Sequence, residues 1–389
     1  MSESIYLDYA AATPVGSAAI EAMEPFLTDN FYNPSAVYQP ARKVRMALEV
    51  ARGKVASVLG AKDQEVIFTA GGTEANNIAI SGVMERFPEG NIVVSSIEHE
   101  SVLEPASKYD CRIAPVDKKG IVDIAALKAL IDDKTVLVSV MYANNEIGTV
   151  QPLKEIASLI EDIRIERTTN EDQRTILPLY LHTDACQAAN YLDLQVGRLG
   201  VDLLTLNGGK IYAMKQSGCL YVAANVELAN YTLGGGQERG IRSGTENVGS
   251  FIAFATMLQK VQAERKIESV RLRELKSLLF AKLSQKNQDI ILNGNTKKQL
   301  PNNLNITLPG ADGERLLMEL DNAGVLVATG SACTASSDDP SHVLLALGLS
   351  AAEANASIRI TLGRPTTEIQ ITNAAQIINE VMARHTRLV

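Results

Sequence analysis

From about residue 40 to residue 225, short apolar runs rich in β-branched residues alternate with stretches of helical spacing. Glu65–Thr69, Asn91–Ser95, Thr135–Val140, Leu179–Thr183, Asp202–Leu206 and Gly218–Ala223 read as buried strands. In Tyr38–Leu59 the residues Val44, Leu48, Ala51, Val55 and Leu59 recur every three or four positions, which predicts an amphipathic helix. Strands that alternate with helices predict an α/β fold, a mostly parallel sheet covered on both faces. Ligands of such sheets bind beyond the carboxyl ends of the strands.

The pattern changes after residue 250. A long charged helical stretch from Phe251 to about Gln285 precedes a strand at Leu304–Leu308, a helix from Gly313 to Ala323, a strand at Ile358–Leu362 and a terminal helix from Thr366. This predicts a smaller α+β domain, completed by the N-terminal segment. The polar, poorly periodic stretch Ile163–Thr175 predicts an exposed loop.

With 389 residues, 46% of them apolar, the chain suits two domains that share an interface and bury a large core. No apolar run reaches the ~18 residues of a membrane span, and the first residues lack the basic flank and apolar stretch of a secretory signal. A formal net charge of −8 argues against direct nucleic-acid binding and fits a cytoplasmic enzyme. The four cysteines are widely scattered, with no spacing that suggests zinc or another metal, so reduced thiols are expected. Cys111 and Cys219 lie in apolar, strand-like runs and read as structural.

Four features carry chemistry. Gly71-Gly72-Thr73 follows the strand ending at Thr69 and opens a helix, a setting in which backbone N–H groups can hold a phosphate. Asp184 ends the strand Leu179–Thr183, with Gln187 three residues on. A carboxylate there can pair with a protonated ring nitrogen, as the pyridinium of pyridoxal 5′-phosphate (PLP) requires. Lys210 follows Leu206-Asn207-Gly208-Gly209, where two glycines expose an amine suited to a Schiff base. Cys333 lies among small and polar residues, in a context suited to an accessible nucleophile. Singly these are a glycine turn, a capping aspartate, a surface lysine and a buried cysteine. In this order they are far more specific.

Together the residues resemble the cysteine desulfurases that serve iron–sulfur cluster and nitrogenase assembly. The resemblance runs from Tyr6-Leu-Asp-Tyr-Ala-Ala-Ala-Thr-Pro14 to Leu362-Gly-Arg-Pro-Thr-Thr367. Its most specific blocks are GGTEANN, Asn144–Thr149, Gly234–Gly240 with Arg242–Asn247, and Gly330–Cys333. It implies a fold-type I PLP-dependent transferase. A large domain over residues 14–260 would hold a mostly parallel seven-stranded sheet between helices, and residues 1–13 with 261–389 would form a smaller α+β domain carrying the Cys333 loop.

The resemblance also implies roles. Lys210 would hold PLP and move the substrate's Cα proton, Asp184 would pair with the pyridine nitrogen, and Gln187 would touch the phenolate oxygen. His99 would stack on the ring and move protons. Gly72, Thr73 and Asn207 would serve the phosphate, and Thr245 the phosphate of a neighbouring subunit, which implies a homodimer. Asn145, Arg359 and Asn33 would grip L-cysteine, Arg359 through its carboxylate. Cys333 would leave as a persulfide for an iron–sulfur scaffold or a tRNA-thiolation relay. Rival readings are a selenocysteine lyase or transaminase of the same fold, and an inactive scaffold. Departures from the common pattern are Asn207 and Gly209 before the lysine, Tyr38, Ala213-Met214, Cys186 as a small filler near the cofactor, the longer Ile163–Thr175 stretch and an ending at Val389 without a scaffold-binding tail.

Overall fold

The computed structural model describes residues 4–169, 176–330 and 339–385. The strands are β1 (Ile5–Tyr6), β2 (Val66–Thr69), β3 (Asn91–Ser95), β4 (Cys111–Ala114), β5 (Thr135–Ser139), β6 (Tyr180–Asp184), β7 (Leu203–Asn207), β8 (Gly218–Val222), β9 (Ile291–Leu292), β10 (Asn303–Thr307), β11 (Val325–Leu326) and β12 (Ser357–Thr361). β2 to β8 form one seven-stranded sheet in the order β2-β8-β7-β6-β5-β3-β4. β8 runs antiparallel to β7 and β2, and the remaining pairs are parallel. The predicted mostly parallel sheet is thus present: the six predicted strands begin and end within one residue of the predicted bounds, and β4, from the strand-like run at Cys111, is the seventh.

Both faces of this sheet are covered, which is why its strands read as unbroken apolar runs. One cluster packs Val93, Val138, Leu181 and Leu204 against Val44, Leu48 and Val55 of the helix Gln39–Leu59. The other packs Ile92, Val94, Leu137 and Leu203 against Ile78, Ala79 and Val83 of the helix Gly72–Arg86. A separate cluster joins Leu7, Ile306, Leu316, Ile358, Ile360, Ile371 and Ile378. The helix Val248–Ser284 spans two of these cores. Its half up to Val261 packs with the large sheet, and Leu272, Leu275, Leu279 and Leu283 pack with the separate cluster around β10 and β12. β12-β10-β9 form an antiparallel sheet, and β1 pairs parallel with β11.

One expectation fails. The stretch expected to be a loop from Ile163 continues the helix Leu153–Thr169, and residues 170–175 lie outside the described residues. Ile163 is buried, while Arg164 donates to the Leu179 carbonyl at 2.9 Å and pairs with Asp202 at 2.5 Å. Arg167 donates to the Thr135 carbonyl at 2.9 Å. Long basic side chains dock this turn through strand-start carbonyls, so it needs little apolar periodicity. No helix among the described residues is long and apolar enough to cross a membrane.

His182, in β6, is wholly enclosed, with its ring nitrogens 2.8 Å from Ser139 Oγ and 3.1 Å from Thr205 Oγ1. Burial pushes its pKa down from 6.5 to about 4. The unfolded chain therefore takes up this proton at a higher pH than the folded one. The stability tied to a neutral His182 is complete above pH 6.5 and is lost as pH falls towards about 4. Relative to a His182→Gln variant, the native chain should lose about 3 kcal/mol over that window. Denaturant unfolding at neutral and acid pH checks this, and a difference between the two chains that does not change with pH would exclude it.

Candidate functional site

Three sheet strands deliver the polar side chains of one cleft. β6 ends on Asp184 and β7 on Asn207, so both side chains emerge where the ladder stops at the carboxyl edge of the sheet. Lys210 follows β7 by one short helical turn, Gly208–Lys210. After β2 the chain turns at Gly71, whose φ of 125° excludes side chains, and enters the helix Gly72–Arg86. No side chain caps that helix, so its first N–H groups stay available to an anion.

Gly72, Thr73, His99, Asn145, Asp184, Gln187, Asn207, Lys210 and Arg359 line this one cavity. Of the expected site residues with described positions, only Asn33 and Thr245 stay outside it. Asn33 is exposed and accepts a hydrogen bond from the Ser35 N–H at 2.9 Å within its own turn. Thr245 is also exposed. Cys333 lies outside the described residues.

The Lys210 ammonium donates to the carbonyls of Ala10 at 2.8 Å and Ala11 at 2.6 Å, and Gln187 Nε2 donates to the same Ala10 oxygen at 3.0 Å. Asp184 is 7% exposed. Its Oδ1 accepts from the Cys186 N–H at 2.9 Å, and its Oδ2 accepts from Asn76 Nδ2 at 2.8 Å. Asn76 also donates to Ser101 Oγ at 2.8 Å, and Ser101 Oγ lies 2.9 Å from His99 Nδ1. His99 Nδ1 accepts from the Ser101 N–H at 3.1 Å, which places the neutral ring's proton on Nε2. A polar chain therefore runs from Asp184 to His99.

Sequence reasoning missed Asn76 and Ser101, although Asn76 stands inside the quoted GGTEANN block. It also missed Asp8, which pairs with Arg359 at 2.7 Å, and Glu98. Glu98 accepts from the Met141 N–H at 2.7 Å and from Ser95 Oγ at 2.5 Å. Burial pushes its pKa up to about 8, so it rests as a neutral carboxyl at pH 7. Burial likewise pushes the Cys186 thiol well up, which leaves it a space-filling group.

The cavity fits PLP by the chemistry of its donors: an amine, a buried carboxylate and an uncapped helix start. It also fits by shape, because a Cβ at Gly72 would come within 2.8 Å of Cys186 Sγ and 3.3 Å of Asn207 Cβ. Fold and site together define a fold-type I PLP enzyme.

The aminotransferase class-V family profile matches residues 5–373. A curated relative, cysteine desulfurase IscS of Dictyoglomus turgidum, is 38% identical over 99% of this chain and 96% of its own length. A solved NifS-like protein superimposes with a TM-score of 0.89 at 29% identity, covering 98% of this chain and 100% of that one. SspA, solved in complex with cysteine, gives a TM-score of 0.77 at 32% identity over 92% of this chain and 99% of its own. The chain belongs to the class-V aminotransferases, within the cysteine desulfurase family.

Gly72→Ala should weaken PLP binding by roughly ten- to a hundredfold, because overpacking a fitted cavity costs about 1–3 kcal/mol. Adding Cys186→Ala removes the nearest clashing atom and should recover part of that loss. Titration of the apoprotein with PLP, followed by absorbance, measures both. Native affinity in the Gly72→Ala chain would show that the helix start does not approach the cofactor.

Proposed function

We propose that this chain is a cysteine desulfurase that converts L-cysteine to L-alanine and stores the released sulfur as a persulfide on Cys333. One observation carries the reading. The Lys210 amine and the buried Asp184 carboxylate line the same cavity as the uncapped helix start at Gly72 and Thr73. When bound, PLP supplies an electron sink that makes the bonds at the amino acid's α-carbon labile.

Lys210 holds the cofactor aldehyde and moves the Cα proton. The Ala10 and Ala11 carbonyls fix its approach. Asp184 keeps the cofactor's ring nitrogen protonated, and Asn76 and the Cys186 N–H fix the orientation of its carboxylate. Gln187 serves the cofactor's phenolate side, and Gly72, Thr73 and Asn207 its phosphate side. His99, which lines the same cavity, would face the cofactor ring and exchange protons from Nε2. Arg359 and Asn145 take the substrate carboxylate.

The sulfur step balances without an outside oxidant. The Cys333 thiolate attacks the substrate sulfur, the new S–S bond forms, and the Cβ–S bond breaks with its electron pair left on carbon. That carbon then takes a proton. The products are L-alanine and a Cys333 persulfide.

The wider setting follows the same reading. Exposed Thr245, together with the exposed apolar Phe31, Val37 and Leu233, supports a homodimer in which Thr245 serves the partner's phosphate site. The separation of the clusters on the large sheet from the one around β10 and β12 supports a large unit over residues 14–260 and a small one over residues 1–13 and 261–389. The persulfide would pass to an iron–sulfur scaffold or a tRNA-thiolation relay, and the setting is cytoplasmic.

After exposure to L-cysteine, intact-protein and peptide mass spectrometry should find one extra sulfur atom on Cys333. Cys333→Ser should lower alanine formation at least about a hundredfold while keeping PLP bound, and Lys210→Ala should abolish both the lysine-bound absorbance and turnover. Full alanine production by Cys333→Ser would instead favour a selenocysteine lyase, and keto-acid formation a transaminase. Bound PLP with no turnover of any amino acid would favour the inactive scaffold.

A further inference from the structure

Arg359 is 1% exposed, and its main chain is held in β12, exchanging hydrogen bonds with Ala328 at 2.6 and 3.1 Å. Its guanidinium is shared unevenly. Nη2 donates to Asp8 Oδ1 at 2.7 Å, Nη1 makes a long 3.4 Å contact with the Asn145 carbonyl, and Nε is buried with no hydrogen-bond partner among the described residues. A buried donor left without a partner is costly, and it is a natural place for an incoming acceptor.

Asp8 is built to stay where it is. Its carbonyl accepts from Tyr6 Oη at 2.7 Å, the Ala11 N–H at 3.0 Å and the Ala12 N–H at 3.4 Å. On either side of it, the Thr361 N–H donates to the Leu7 carbonyl at 2.8 Å, and the Tyr9 N–H to the Thr361 carbonyl at 3.3 Å. The same turn presents the Ala10 and Ala11 carbonyls to Lys210. One short segment therefore orients both the amine and the guanidinium of the cavity.

We propose that Asp8 is a positioning residue for recognition of the substrate's α-carboxylate: it holds the Nη2 corner of Arg359 and leaves Nε to receive that carboxylate. The pairing also offsets the charge of the arginine. Recognition then depends on a directed, charge-assisted hydrogen bond, which an ionised carboxylate accepts more strongly than the carbonyl oxygen of an amide. This inference rests on the reading of Arg359 as the carboxylate-binding residue.

The test compares L-cysteine with L-cysteinamide, which lacks the carboxylate, by the ratio of their kcat/KM values in the PLP-loaded enzyme. Asp8→Ala should lower that ratio at least about tenfold, through KM for L-cysteine, with kcat changed by less than about threefold. Asp8→Asn retains an oxygen that accepts from Nη2 and should stay within about threefold of the native ratio. Should Asp8→Ala not fold, Asp8→Glu displaces the carboxylate by one methylene and should lower the ratio by an intermediate amount. An unchanged ratio in Asp8→Ala or Asp8→Glu, with the ratio collapsed in Arg359→Ala, overturns the proposal alone. Asp8→Asn as impaired as Asp8→Ala overturns it in favour of a pure charge effect. An unchanged ratio in Arg359→Ala overturns the underlying reading of that arginine.

Discussion

A sheet buried on both faces has no place for charge except at its ends. β3, β5, β6 and β7 are covered by apolar side chains on either side, and a carboxylate or amine among them would lose its hydration without compensation. Polar groups collect where the hydrogen-bond ladder stops. Asp184 and Asn207 are the last residues of neighbouring strands, and Lys210 and the Gly72 helix start are at most four positions beyond a strand. The position of the site thus follows from solvation, and its chemistry from which polar residues occupy those ends.

Placing polar groups at one edge does not by itself orient them. That task falls to contacts far apart in sequence. The turn from Asp8 to Ala12 reaches Lys210 and Arg359, and Asn76 and Ser101, on two different helices, link Asp184 to His99. Each contact is a hydrogen bond in a largely buried cleft, where water competes poorly and a fixed donor or acceptor has a large effect on its neighbour's direction. The N-terminal segment belongs to this arrangement as much as to the fold. Leu7 packs in the core around β10 and β12 and Tyr9 in a core of the large sheet, so the residue between them, Asp8, sits at the seam.

This division explains what was legible in the sequence. The strands could be read because double-sided burial imposes apolar runs, and Gly72, Asp184 and Lys210 because glycines and polar residues within a few positions of such a run are conspicuous. Asp8 could not be found that way, since its partner is 351 residues distant and nothing local marks an aspartate that orients an arginine. Asn76 and Ser101 look like ordinary residues near a helix start, and only the folded contact shows that they join two others. The helix through Ile163–Thr169 was hidden for a related reason. Arg164 and Arg167 hold it by reaching backbone carbonyls, and such contacts leave no periodic trace.

The segment after β8 shows how a buried charge can serve geometry without being a source of stability. Arg52 and Glu238 form a two-pronged pair, both bonds 2.8 Å, and Glu238 also accepts from the Phe68 N–H at 2.8 Å. Removing such ions from water costs about as much as their attraction returns, so apolar residues of similar size would hold this part of the core equally well. They would not hold its direction. Glu238 and Arg239 have φ values of 43° and 63°, a backbone state that costs on the order of 1 kcal/mol or more and persists only under restraint. The carboxylate, tied to β2 and to the helix Gln39–Leu59, supplies that restraint. A few residues further on, Arg242 pairs with Glu74 at 3.1 Å, in the first turn of the helix that opens at Gly72. The strained turn and its buried pair thus lie close in sequence to the residue that ties this segment to the uncapped helix start lining the cavity.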